Sequence, residues 1–434
     1  MAFTFIAGIR PMRILVVGSG GREHALAWKL KQSAGVEKIF CAPGNAGTAA
    51  VGENVSIPAG DLTGLARFAK QNRIGLTVVG PDDPLAAGIV DLFRSQALRV
   101  FGPTKSAARL ESSKIFAKEL MRRANIPTAK AEVFSASEEA LRHCEDVSYP
   151  VVIKADGLAL GKGVVIAHDR ETARATIDAM MNRARFGEAG RRVVVEQFLR
   201  GSECSVHALV DGTSYQLLAT ARDHKRAYDG DQGPNTGGMG AVSPATNWNP
   251  DQHRRFDEEI MQPLLQVLGE QQVRFSGLLF PGLMITPNGP RVLEFNCRFG
   301  DPETQAILPR LRSDLLPLLE ATIDGTIGGQ EIIWDPQLAV TVVLASGGYP
   351  DKYEAGKPIT GLENAAAVGG VQVFHAATRR TGSLTVTSGG RVLAVTALGA
   401  TIDEARDRAY QAVSCIEFEA CHYRRDIAVA GAVP

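Results

Sequence analysis

Short apolar runs, each closed by a glycine turn and followed by an amphipathic stretch, set the rhythm of the first hundred residues. "RILVVG" (13–18), "KIFCAP" (38–43), "GLTVVGP" (75–81) and "LRVFGP" (98–103) read as buried strands. Helical patterns separate them. Strand alternating with helix predicts a parallel, doubly wound sheet over roughly residues 12–104. "SAARLESSKIFAKELMRRANIP" then reads as one helix stopped before Pro127.

The rhythm changes at "YPVVIKADGLALGKGVVIAHD" (149–169), two strands joined by a glycine loop, and again at the apolar run "RRVVVEQFL". "CSVHALVDG" and "YQLLATARD" read as two further strands. The segment from Arg222 to Gly240, rich in charge and glycine, reads as a long loop, and long loops in compact domains are often functional. A helix over about 250–269 precedes the strands "GLLFPGLMIT" and "RVLEFNCRF", which are joined by the turn "PNGP". Past about residue 330 come strands "LAVTVVLAS", "GVQVFHA", "LTVTS" and "RVLAVTAL", then a helix from Thr401 to about Cys415. No Gly/Ser tether separates these parts, so they are expected to pack tightly.

Composition excludes several classes. The 434 residues carry 47 Lys plus Arg and 47 Asp plus Glu, so no global basic field favours nucleic acid. No apolar run approaches the ~20 residues that a membrane span needs. The six cysteines form no C-x-x-C and no regular framework, as expected of reduced thiols in a cytoplasmic protein. Residues 1–11 lack the features of a signal peptide and are expected to be a short extension without chemistry.

Three glycine loops, "GSGG" (18–21), "CAPGNAG" (41–47) and "GPDDP" (80–84), follow strands of the first sheet. Ligands of open α/β sheets collect at the carboxyl ends of strands, so these loops point to a small phosphorylated ligand. A dinucleotide fingerprint would need Gly or Ala where Glu23 stands. "DGLALGKG" (156–163) is not a Walker loop, because Gly-Lys-Gly runs into a strand; it reads as a hairpin flap whose amides and Lys162 lie over a polyphosphate, with Lys154 beneath.

In "EFNCRFGDPETQ" (294–305), strand alternation puts Glu294, Asn296 and Arg298 on one face and Phe295, Cys297 and Phe299 on the other. Glu294 and Asn296 suit Mg²⁺, which takes one or two protein oxygens and completes its shell from nucleotide phosphates. Arg298 suits a carboxylate or phosphate. Asp301 is expected to cap a helix that starts at Pro302.

Lysines on a hairpin, a glycine flap and a Glu-x-Asn strand resemble the ATP-grasp ligases. "GSGGREHALAW", "APGNAGT", "IKADGLALGKGV", "DHKR", "GPNTGGMGA" and "EFNCRFGDPETQ" together are similar to the phosphoribosylamine–glycine ligase family, over residues 13 to about 425. The resemblance implies a mixed α/β and α+β chain. It has an N-terminal α/β substrate domain (12–113), an ATP-grasp domain (114–330, flap about 126–195) and a C-terminal α/β domain (331–434). It implies ATP-driven joining of glycine to 5-phosphoribosylamine through a glycyl phosphate, with Mg²⁺ or Mn²⁺, in a cytoplasmic monomer. The runner-up is another ATP-grasp carboxylate–amine ligase acting on a phosphorylated small molecule; a non-enzymatic nucleotide-binding protein and a dehydrogenase are the further alternatives.

By the same resemblance ATP meets Lys114, Lys154, Gly157, Leu158, Gly161, Lys162, Gly163, the hinge Glu196, Gln197, Phe198 and Leu199, and Glu203 at the ribose. Glu294 and Asn296 hold the metal. Asp223, Lys225, Arg298 and Asp301 surround the reacting groups. Gly20, Gly21, Arg22 and Glu23 face the ribosyl phosphate, Asn45, Gly80, Pro81 and Asp82 bind the same substrate, with Asp82 near its ribose, and Arg391 is either a second phosphate clamp or a surface residue. Four positions depart from the family pattern: Asp82 for Glu, Leu160 and Pro281 for Ala, and Val242 for Tyr.

Overall fold

The computed structural model describes residues 11–159, 163–183 and 185–429. The first sheet has five parallel strands, with Met12–Gly18 at its centre between Val36–Pro43 and Ile74–Val79, and with Glu53–Asn54 and Val100–Phe101 at its edges. Ile14 to Val17 are fully buried, as continuous apolar runs must be when both sheet faces are covered. The carboxyl ends of the three inner strands bring Gly18–Gly21, Pro43–Gly47 and Gly80–Asp82 to one rim.

The stretch expected as one helix over 106–126 is two, Arg109–Ser112 and Lys114–Arg123. The break is made by Ser113, an extended residue whose Oγ accepts the Phe116 N–H at 3.2 Å, an N-cap that periodicity alone does not reveal. The flap is a four-stranded antiparallel sheet ordered Ala131–Phe134, Val193–Gln197, Val151–Ala155, Val164–Ala167. It packs on helices Ser137–Asp146 and Arg170–Ile177 through Ala140, Ile153, Ala173 and Ile177.

In the central sheet Gly277–Thr286 pairs with Gly289–Asn296 on one side, and with both Ser202–Ser205 and Ala208–Val210 on the other. "CSVHALVDG" is thus interrupted at Val206–His207. "YQLLATARD" also divides: Tyr215–Leu217 stays in the central sheet, whereas Arg222–Asp223 leaves it.

The expected loop over 222–240 is structured. Arg222–Asp223 pairs with Gly240–Ser243, which pairs with Leu338–Ala345, so the first is the edge strand and the second its inner neighbour in the C-terminal sheet that continues with Arg391–Gly399 and Val371–His375. Between them Arg226–Tyr228 and Gln232–Asn235 form a hairpin. Glycine and charge density read as loop because the strands that order this segment lie far away in sequence.

One buried cluster joins Ile14 and Leu26 of the first sheet layer to Leu209 and Leu278 of the centre and Val343, Phe374 and Ala394 of the C-terminal sheet, so the parts share a core. All six cysteines are free thiols. Among the described residues, no helix is long and apolar enough to cross a membrane.

Candidate active site

Strand Gly289–Asn296 shifts register between Val292 and Glu294, which face Leu283 and Gly282. Beyond this shift alternation resumes: Glu294 and Asn296 share a face, while Phe295 and Cys297 fill the core behind. The strand ends at Asn296, so Arg298 belongs to the following turn rather than to the strand. Its guanidinium reaches back, donating to Asn296 Oδ1 at 3.2 Å and pairing with Glu111 at 3.1 Å.

Cations converge on Glu294. Burial pushes its carboxyl up, but Lys225, Lys154, Lys114 and Arg298 outweigh burial and hold it below the usual range. Lys154 Nζ donates to Leu293 O at 2.9 Å and pairs with Glu196 at 3.1 Å. Glu196 is shared with Lys118 at 3.2 Å, whose ammonium burial lowers to about 8. Lys114 Nζ donates to Gly157 O at 3.0 Å, tying the flap root to the helix that Ser113 caps. Gln197, Phe198 and Leu199 continue from strand Val193–Gln197, and Leu158 and Gly163 flank the flap tip. Leu160, Gly161 and Lys162 lie outside the described residues.

A divalent cation fits this arrangement. Among the described residues no group of three or more His, Cys, Asp and Glu side chains forms a metal cage. A hard cation shared with phosphates needs only one or two protein oxygens, and the Glu294 carboxylate and Asn296 Oδ1 supply two from one strand face.

Lys225 closes the other side. Burial pushes its ammonium down, but Glu203, Glu294 and Asp223 outweigh it and hold it above its ordinary value; Glu203 lies 2.8 Å away. Asp223 behaves oppositely: burial and the Glu303 carboxylate push its carboxyl well above the usual range, and Oδ1 is buried without a partner. Gly238, at φ +112°, leaves the space this needs, since a Cβ there would stand 2.5 Å from Asp223 Oδ1.

On the N-terminal rim the polar groups hold one another. Glu23 stands at the third position of helix Gly21–Leu30 and accepts the Gly20 N–H at 2.6 Å, the one half of a capping box that a glycine N-cap allows, and it pairs with Arg22. A Cβ on Gly80 would lie 2.0 Å from Glu23 Oε1, so only glycine lets the Gly80–Pro81 turn pass. Asp82 follows as the first residue of a short helix. Asn45 Nδ2 donates to Ser19 O at 2.9 Å and His375 O at 2.8 Å, while its Oδ1 accepts the Gly47 and Thr48 N–H groups.

Asp301 is not the helix cap. Pro302 precedes helix Glu303–Ile307, and the Asp301 carboxylate accepts from Gln305 Nε2 at 2.8 Å and the Arg22 N–H at 3.3 Å. Burial opposes its charge, but Arg391 and Arg22 outweigh it and hold the carboxyl below the usual range. Arg391 is not a surface residue: it pairs with Asp301 at 3.3 Å and donates to Asp301 O at 2.7 Å and Gly237 O.

Sequence reasoning missed Glu111, Lys118, Glu303 and His207. Glu111 accepts the Cys297 N–H at 2.7 Å and anchors Arg298. Glu303 accepts from Ser205 Oγ at 3.1 Å beside fully buried His207. Glu303 lay within the motif as a helix residue; Glu111 and Lys118 gave only ordinary helix-surface signals.

Family models describing the phosphoribosylglycinamide synthetase N domain, ATP-grasp (A) domain and C domain match residues 12–111, 112–304 and 339–430. A relative from Allochromatium vinosum, described as phosphoribosylamine–glycine ligase, is 52% identical over 96% of this chain and 98% of its own. The crystal structure of a phosphoribosylamine–glycine ligase from Thermotoga maritima superposes with a TM-score of 0.82 at 34% identity, covering 96% of this chain and 100% of that one. The biotin carboxylase domain of the Hydrogenobacter thermophilus 2-oxoglutarate carboxylase, in complex with MgADP, shares the fold at 15% identity and a TM-score of 0.70, over 94% and 91% of the two chains.

Proposed function

The chain belongs to the phosphoribosylglycinamide synthetase family, and from that premise we propose how its residues join glycine to 5-phosphoribosylamine with ATP as the driving reagent. The observation that carries the reading is Glu294, a carboxylate kept charged amid Lys114, Lys154, Lys225 and Arg298 with Asn296 beside it.

A glycine carboxylate does not acylate an amine at neutral pH, because its oxygen is a poor leaving group. Its attack on the γ-phosphorus of ATP releases ADP and makes glycyl phosphate, whose leaving group is phosphate. Such transfer needs positioning and charge neutralisation above all. Lys114, Lys154 and the flap at Gly157, Leu158, Gly161, Lys162 and Gly163 hold the phosphates, and Glu196 to Leu199 line the base. Glu203 orders both Lys225 and the ribose. Glu294 and Asn296 hold Mg²⁺ or Mn²⁺, which when bound neutralises phosphate oxygens. Arg298, fixed by Glu111, orients glycine.

The amine of phosphoribosylamine then attacks the acyl carbon, phosphate departs, and the amine loses a proton. Asp223 in its ionised form, which Lys225 and Arg391 favour, takes it on the oxygen that has no partner. Asp301 is a poor acceptor, held charged by Arg391 and Arg22. The ribosyl phosphate docks on the Gly20–Gly21 turn and on Arg22, and Asp82 faces the ribose, with Glu23, Asn45 and Arg391 as the frame. Flap closure keeps water from the acyl phosphate. We place the enzyme in the cytoplasm as a monomer.

The test is ADP release with ATP, glycine and freshly generated phosphoribosylamine. Release that needs both co-substrates is expected; nucleotide binding without turnover, or release indifferent to glycine, overturns the reading.

A further inference from the structure

Arg424 is fully buried close to the carboxyl end of the described chain. Its Nε and Nη2 donate to the two oxygens of Asp426, each at 2.7 Å, and its Nη1 donates to Asp231 Oδ1 at 2.6 Å and Arg226 O at 3.3 Å. Nothing in the proposed chemistry uses this group. Asp231 and Arg226 belong to the hairpin of Arg226–Tyr228 and Gln232–Asn235, whereas Arg424 and Asp426 belong to the tail.

The tail meets the hairpin at further points. Asp426 Oδ2 accepts the Gly230 N–H at 2.8 Å, the Arg425 N–H donates to Asp229 Oδ1 at 2.7 Å, and the His422 Nε2 lies 2.8 Å from Ala227 O. The tail is itself fixed. His422 and Ala345 exchange backbone hydrogen bonds of 2.7 and 2.8 Å, and Tyr410 Oη donates to Arg424 O at 2.8 Å while accepting the Ile427 N–H at 3.1 Å.

The hairpin needs such support. Tyr228, Asp229, Gly230, Gln232, Gly233 and Pro234 are exposed, and a lone two-stranded hairpin is marginal in water. Its base carries the reacting-side charges: Lys225 O accepts from the Thr236 N–H and Oγ, each at 2.8 Å, and Asp223 lies two residues before Lys225. The phosphate-side lysines are held elsewhere, Lys154 by Glu196 and Leu293 O and Lys114 by Gly157 O.

We propose that Arg424 and Asp426 latch the hairpin tip and so set Lys225 in the cleft, which makes Arg424 a positioning residue for the ligase step. The inference rests on the ligase reading above. A latch acting on one side of the cleft affects turnover and leaves nucleotide affinity nearly unchanged, because Glu203, shared with the ribose, is fixed in strand Ser202–Ser205.

The experiment uses the full chain and compares wild type with Asp231→Asn, on the hairpin side, and Arg424→Lys, which keeps the charge and loses the fork. Steady-state kinetics should give Asp231→Asn a kcat about tenfold lower, with the KM for ATP within about twofold. Arg424→Lys should fall between it and wild type. Exchange of the Thr236 amide, at the hairpin base, should be faster in both variants. A kcat within about twofold of wild type, or a KM for ATP that rises in step with the loss of kcat, overturns the latch. If wild type itself shows no turnover, the ligase reading fails, and the Thr236 amide alone decides the latch: unchanged exchange in Asp231→Asn overturns it.

Discussion

The two sides of the cleft use charge in opposite ways. Around Glu294 cations converge on one carboxylate: Lys114, Lys154, Lys225 and Arg298 all act on it, although Lys154, Lys225 and Arg298 also pair with Glu196, Glu203 and Glu111, and the Glu294 carboxylate faces them without a structural task of its own. On the N-terminal rim, charges and amides are matched. Glu23 caps a helix, Asn45 binds two loops, and Asp301 is taken by Arg391, Gln305 and an Arg22 amide. A residue close to a ligand site is not thereby a ligand contact. On the reading proposed above, the side where cations converge receives a polyanion, and the matched side holds a shape.

The comparison breaks first at Glu294. Glu294→Gln keeps the side-chain volume and removes the charge that the cations surround. Turnover should fall about 10²–10³-fold, the scale of losing one preorganised charged group, with the circular dichroism spectrum and a cooperative melting transition retained. Near-normal ADP release would mean that the carboxylate serves the scaffold, as its counterparts on the rim do.

Asn45 tests the opposite side. Asn45→Ala leaves Ser19 O, His375 O and the Gly47 and Thr48 N–H groups without their partner. Stability should drop by about 1–3 kcal/mol, read by urea denaturation. The KM for the phosphorylated amine should stay within a few-fold of wild type. A large rise in that KM with unchanged stability would move Asn45 from frame to contact.

What the sequence made legible follows local physics. The parallel sheet, the flap strands and the Glu294–Asn296 face came from period-two and strand–helix alternation, and the structure places them there. The illegible parts depend on partners distant in the chain. The segment from Arg222 to Gly240 reads as loop because its ends are ordered through Gly240–Ser243 by the distant strand Leu338–Ala345. Glu23 looked like a failed fingerprint glycine, and its role as a cap appears only once Gly80 is seen to make room for it. Glu111 carried no motif, since its meaning lies in an arginine far along the chain.

The smallest expected effect lies where the two sides meet. His207 is fully buried, its ring stacks on Phe280 at 4.2 Å, and neither ring nitrogen has a hydrogen-bond partner. Burial, aided by the nearby Arg298, lowers its pKa from 6.5 to about 3. The unfolded chain therefore takes up a proton as the pH falls through 6.5, while the folded chain refuses it until about 3. Stability present above pH 6.5 is lost across that window as the pH falls. His24, also lowered to about 3 by burial and by His375, adds to the same slope. His207→Gln removes one of these protons from the balance. Its stability difference from wild type should shift in the variant's favour by about 1 kcal/mol between about pH 7.5 and about pH 5.5, measured by urea denaturation at each pH. A difference that does not move with pH would mean that His207 is already hydrated and titrating normally. In that event the space beside Arg298 is wet, and the cations that converge on Glu294 are screened far more than a dry cleft allows.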